Sequence, residues 1–232
     1  MTDAPADTST GATSAPPAAV LFDVDGTLLD TNYLHVLAWW EAFLDAGEQV
    51  SCFDIHRNIG RGSPDLVRTL LGREDDAVVQ GHSDNWAPLR KRMIPFHGAA
   101  ELLRACKQRG LTVVLATSGS PEDVEDFLDR LDCRDAVDHL VNSGDVEESK
   151  PAPDIVHAAL AAAGVPPERA LMVGDTVYDV RAANAAGVGC IGLLGGGIGE
   201  QEMRQEQPVA VYGNVAELLE GLDDSPLAQL LG

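Results

Sequence analysis

The sequence predicts an α/β fold: a parallel sheet covered by helices on both faces, with a helical unit inserted near its start. Three observations predict it. Short apolar runs alternate with amphipathic stretches along residues 97–223. Three of those stretches close on a glycine, at Gly110, Gly164 and Gly187, as helix ends often do. Residues 32–96 break the alternation and carry helical spacing only. Strand–helix alternation is the mark of βα units, whose parallel strands are buried on both sides.

The elements follow in order. Residues 1–17 are almost all Ala, Ser, Thr, Pro and Asp with nothing to bury, and predict a disordered leader. The apolar run Ala18–Phe22 stops at Asp23-Val24-Asp25-Gly26-Thr27, a buried strand entering a glycine turn. Within 32–96, Trp39, Trp40, Phe43 and Leu44 recur at helical spacing, with further helical patterns at 64–71 and 84–93. Trp39, Trp40 and Phe43 read as core of this insert. Beyond it the spacing predicts helices over 99–109, 121–131, 153–163, 177–186 and 215–222. Strands are predicted over 111–116, 137–141, 170–173, 188–193 and 208–212. The expected division is a core of 18–31 and 97–223, an inserted helical cap of 32–96, and a tail of 224–232. Gly195-Gly196-Gly197 has no P-loop lysine and reads as a flexible loop.

Composition removes several classes of function. Acidic residues outnumber basic ones 37 to 16, for a formal charge of −21. Such a surface repels nucleic acid and anionic lipid, so neither is an expected partner. An anionic small substrate is also repelled, and any phosphate site must concentrate positive charge locally, most simply with a metal ion. No run reaches the ~18 apolar residues that cross a bilayer, and no basic region with an apolar run opens the chain. A cytoplasmic protein is expected. Cys52, Cys106, Cys133 and Cys190 have no metal-ligand spacing, and neither have His56, His82, His97, His139 and His157.

Polar residues gather where predicted strands end. Asp23 and Asp25 follow the first, Thr117-Ser118-Gly119 the next, and Gly174-Asp175 a third, with Asp179 four residues on. Lys150 precedes a helix at Pro151. In parallel sheets these ends share one edge, where ligands bind.

DVDGT, ATSGS, SKPAPD and GDTVYD, in that order, resemble the four motifs of the haloacid dehalogenase-like hydrolase superfamily. The insert directly after the first motif resembles the branch with a type-one cap, which includes phosphoglycolate phosphatases and β-phosphoglucomutases. The resemblance implies a Rossmann-like core and a Mg²⁺-dependent phosphatase of small phosphate esters. Asp23 is then the nucleophile that forms an aspartyl-phosphate, and Asp25 the acid and later base. A carboxylate can attack a phosphate once cationic groups screen its oxygens. Asp23, Asp175 and the Asp25 carbonyl are the implied metal ligands. Asp179 orients a metal-bound water or pairs with Lys150, or is only a first-turn helix acid. Thr117 and the amides of Ser118 and Gly119 are the implied phosphate donors, with Lys150 as fixed cation.

His35 resembles the start of the cap in sugar-phosphate enzymes, or packs as a helix-face histidine on Trp39. Arg61, between Gly60 and Gly62, reads either as a ligand-binding cation or as a surface partner of Asp65. A phosphomutase and a non-catalytic regulator on the same fold are the alternative functions. Dehalogenation is disfavoured by the presence of Asp25.

Overall fold

A computed structural model describes residues 16–231. The expected leader lies outside these residues, save Pro16 and Pro17, whose carbonyls accept from Arg169.

The chain enters through β1 (Ala19–Phe22) and passes to α1 (Asn32–Asp45), α2 (Cys52–His56), α3 (Ser63–Leu71) and α4 (Asp76–Leu89). It then runs α5 (Ala99–Gln108), β2 (Thr112–Ala116), α6 (Pro121–Leu131), β3 (His139–Val141), α7 (Asp154–Ala163), β4 (Ala170–Gly174) and α8 (Val177–Ala185). β5 (Gly189–Leu193), α9 (Glu200–Gln205), β6 (Ala210–Tyr212), α10 (Val215–Glu220) and α11 (Pro226–Gln229) complete it. The strands form one parallel sheet in the order β3-β2-β1-β4-β5-β6. This is the parallel sheet that the alternation predicts, with the Rossmann-like form that the family resemblance implies.

Alternate residues of β1 serve the two faces. Val20 and Phe22 join a cluster with Leu102, Leu103, Phe127 and Leu218, from α5, α6 and α10. Ala19 and Leu21 join Val156, Leu160, Val180 and Ala183, from α7 and α8. The uninterrupted apolar run of β1 follows from burial on both sides. The inserted helices hold their own cluster of Val36, Trp39, Phe43, Ile55, Leu66 and Val78. Trp39 and Phe43 are core there, as expected, whereas Trp40 is exposed.

Several boundaries differ from the sequence expectation. α4 begins at Asp76 rather than near Asp84, because the Asp75 carboxylate accepts from the Val78 amide and caps it. α2 and α9 are unanticipated; each is too short to display a periodicity. Residues 224–232 are not a free tail among the described residues: Ser225 and Pro226 start α11, and Leu227 is buried in the main cluster. No helix among the described residues is long and apolar enough to cross a membrane.

Candidate active site

The carboxyl ends of β1, β2 and β4 are adjacent, so the residues following them meet. Asp23 continues β1, its amide donating to the Val173 carbonyl at 2.9 Å. The turn beyond it needs glycine: Gly26 has φ +77°, and a Cβ there would collide with Asn32 Nδ2 and Asp175 Oδ2.

Lys150 is buried behind Asp23. Its Nζ lies 2.5 Å from Asp23 Oδ1 and 2.7 Å from Asp179 Oδ1. Burial works against the charged lysine, yet Asp179 and Asp23 hold it above the ordinary lysine range. Asp179 therefore pairs with Lys150 and also caps a helix, its Oδ2 accepting from the Thr176 amide at 2.9 Å and hydroxyl at 2.6 Å. Asp175 is fully buried, with Oδ1 accepting from Thr27 Oγ1 at 2.9 Å and Oδ2 from Asn32 Nδ2 at 2.8 Å. Burial raises Asp23 to about 7 against the pull of Lys150, helped by the charges of Asp179 and Asp25. Burial, then Asp23 and Asp179, push Asp175 well up.

One oxygen each of Asp23, Asp175 and Asp179 lies within 4.8 Å of the others. Three buried carboxylates against one lysine leave excess negative charge with little solvent to screen it. A divalent cation fits this donor set, since hard cations take oxygen ligands.

Asp25 faces the other way. Its Oδ1 accepts from Thr31 Oγ1 at 2.7 Å and lies 3.3 Å from His35 Nε2, while Oδ2 accepts from Thr117 Oγ1 at 3.3 Å. Burial would raise its pKa, but His35, Thr31 and Thr117 outweigh burial and hold it below the usual carboxylate value. His35 thus contacts Asp25 rather than only packing on its helix. It also belongs to a four-ring stack that sequence reading missed. Trp39 stacks on His82 at 3.9 Å between centroids, His82 on His35 at 5.4 Å, and His35 on Trp86 at 3.8 Å. His35 Nδ1 lies 3.2 Å from His82 Nε2. Burial, then the charge of His35, hold His82 well below the ordinary histidine value. The signal lay in two His–Trp pairs at i,i+4, one on α1 and one on α4, which interleave when the helices pack.

The stack reaches the loop after β2. Trp86 Nε1 donates to Asp123 Oδ1 at 3.0 Å, and Arg90 adds a bond of 2.9 Å to the same oxygen. Asp123 Oδ2 accepts from the Ser120 amide and hydroxyl. In that loop the expected donors divide. Thr117 is buried, spends its hydroxyl on Asp25 and accepts from the Gly119 amide at 2.9 Å, so neither points freely outward. The Ser118 hydroxyl is buried with no partner among the described residues, and Ser118 lines the cavity.

That cavity, of about 370 Å³, is lined by Asp23, Asp25, His35, Trp86 and Arg61. Arg61 does not pair with Asp65, which pairs with Arg68 at 2.8 Å. Its guanidinium lies 4.4 Å from the Tyr178 ring, and its Nε is buried with no partner among the described residues. Gly195-Gly196-Gly197 is packed rather than loose. The Gly196 carbonyl accepts from Asn32 at 3.2 Å and His56 at 2.9 Å, and a Cβ on Gly196 would overlap Asp175 Oδ2.

The comparisons with known proteins agree with this arrangement. The family model for haloacid dehalogenase-like hydrolases matches residues 17–187. A phosphoglycolate phosphatase of Pseudomonas savastanoi pv. phaseolicola is 28% identical, over 93% of this chain and 83% of its own. A hydrolase from Pseudomonas syringae superposes with a TM-score of 0.84 at 30% identity, covering 89% of this chain and 98% of that one. CbbY from Rhodobacter sphaeroides in complex with phosphate superposes with a TM-score of 0.73 at 28% identity, covering 90% and 100%. With Asp23 and Asp25, Thr117, Lys150 and Asp175, one or two residues from each of the four motifs, brought to one sheet edge and a family match across most of its length, the chain belongs to the haloacid dehalogenase-like hydrolases.

Proposed function

We propose that the protein is a phosphatase of small phosphorylated metabolites, with Asp23 as nucleophile, Asp25 as acid then base, and Mg²⁺ as cofactor. The observation that carries this reading is that Asp23 and Asp25 face one cavity while Lys150, Asp175 and Asp179 stand behind Asp23. The names of the relatives support it: one is a phosphoglycolate phosphatase, and the CbbY structure holds phosphate. Residues 18–31 and 97–223 form the catalytic unit in this reading, and 32–96 the cap that closes the cavity.

Asp23, Asp175 and the Asp25 carbonyl would hold the cation, while Asp179 pairs with Lys150 and caps its helix through Thr176. When bound, Mg²⁺ neutralises phosphoryl charge and orients the ester. Asp23 attacks phosphorus as the ester P–O bond breaks, giving an aspartyl-phosphate. The departing oxygen takes a proton from Asp25. His35 Nε2, 3.3 Å from Asp25 Oδ1, orients that carboxyl toward the leaving oxygen. The ionised Asp25 then activates water against the aspartyl-phosphate. Ser118 receives the phosphoryl oxygens, while the Lys150 charge, held behind Asp23, offsets the negative charge gathered at the site.

The test is phosphate release from a panel of sugar phosphates, phosphoglycolate and nucleotides, with Mg²⁺ and with chelator. Release with Mg²⁺ only, abolished in a folded Asp23→Asn variant, is expected; release unaffected by either change overturns the reading. Isomerised sugar phosphate instead of free phosphate would make the protein a mutase.

A further inference from the structure

The triglycine loop has no place in the chemistry above, yet it packs against Asp175 so closely that no side chain fits at Gly196. Asn32 is the first residue of α1 and is buried. Its amide group has two N–H bonds. One nitrogen reaches both Asp175 Oδ2, at 2.8 Å, and the Gly196 carbonyl, at 3.2 Å, so both donors are spent. His56, the last residue of α2, brings Nε2 to the same carbonyl at 2.9 Å, and its ring stacks on Tyr33 with centroids 5.0 Å apart. A carbonyl only accepts, so this nitrogen carries the proton, and the two lone pairs of Gly196 are filled from two inserted helices. Thr27 holds the other oxygen of Asp175 at 2.9 Å. Each Asp175 oxygen thus keeps a lone pair for a cation while its direction is fixed. Gly196 cannot be replaced without displacing this carboxylate, because a Cβ would occupy the position of Oδ2.

We propose that Asn32 and the Gly196 main chain are positioning groups for Asp175, and that with His56 they couple the seating of α1 and α2 on the sheet to cation affinity. The inference rests on the reading of Asp175 as a cation ligand. Hydrogen-bond partners of metal ligands typically govern affinity by about tenfold or more. Coupling is reciprocal, so what unseats the inserted helices weakens the cation, and the cation in turn favours their seating.

Titration calorimetry with MgCl₂ on the full chain tests this without turnover. Asn32→Ala and Gly196→Ala should each bind Mg²⁺ roughly tenfold or more weakly. His56→Phe, which keeps the ring on Tyr33 but loses the N–H, should shift affinity in the same direction. Asp175→Asn is the control. If it loses binding while Asn32→Ala, Gly196→Ala and His56→Phe keep wild-type affinity, the coupling is wrong although the ligand reading stands. If Asp175→Asn binds as well as wild type, the ligand reading itself fails. Should Asn32→Ala or Gly196→Ala not fold, His56→Phe alone decides, and unchanged affinity there overturns the coupling.

Discussion

Lys150 and Asp179 form a 2.7 Å ion pair in which both side chains are 1% exposed. A buried pair contributes little net stability, but removing one partner strands the other and costs about 3–5 kcal/mol. Here the stranded set is larger, because Asp23 and Asp175 share the charge. Lys150→Met should therefore lower urea stability at neutral pH by about 3–5 kcal/mol without Mg²⁺, and Mg²⁺ should restore part of it. A loss under about 1 kcal/mol would mean that the carboxylates had taken up protons and carried little charge.

Asp25 is expected to matter in proportion to the basicity of the leaving oxygen. Asp25→Asn should slow transfer from alkyl phosphates by about 10²–10⁴-fold and from aryl phosphates with good leaving groups far less. Single-turnover kinetics isolate the step; equal losses in both classes would remove the acid role.

Arg61 lines the cavity with an Nε that has no partner among the described residues and its guanidinium on Tyr178. Its planar donors suit a carboxylate, phosphate or vicinal hydroxyls at the far end of a substrate. Arg61→Ala should lower kcat/KM for such a substrate by roughly tenfold, about 1.4 kcal/mol, and leave a small aryl phosphate nearly unchanged. Parallel losses on both would assign Arg61 to holding the inserted helices in place.

His82 links folding to pH. Its folded pKa is depressed, by burial and then by the charge of His35. In the unfolded chain it takes a proton below about 6.5. It thus contributes stability that is present above that value and is lost as pH falls through it, by up to about 1.4 kcal/mol per pH unit. His82→Phe keeps a ring between Trp39 and His35 and should flatten the stability decline between pH 7 and pH 5. Parallel declines in urea midpoint for both proteins would exclude His82 as the cause.

The sequence made the sheet and the strand-end aspartates legible because both are local. A strand ending in Asp23 and Asp25, or in Gly174-Asp175, is written within a few residues, and parallel order then places the ends together. What stayed hidden depends on which helix faces which. The pairing of His35 with His82 spans 47 residues, Trp86 with Asp123 37, and Asn32 with Gly196 164. Thr117 was legible as a residue but not in its orientation, since only the fold turns its hydroxyl onto Asp25. Gly195–Gly197 looked loose because glycine signals either freedom or crowding, and neighbours distant in sequence decide which.

The central position of β1 has a consequence in time rather than space. With β2 on one side and β4 on the other, the amides of Ala19–Phe22 have no edge from which to fray. Their hydrogens exchange with solvent only when the whole sheet opens, whereas those of the helices around the cavity exchange through smaller, local openings. The strand that leads into Asp23 is then the slowest in the molecule to take up deuterium, and its uptake reads the free energy of opening the whole sheet.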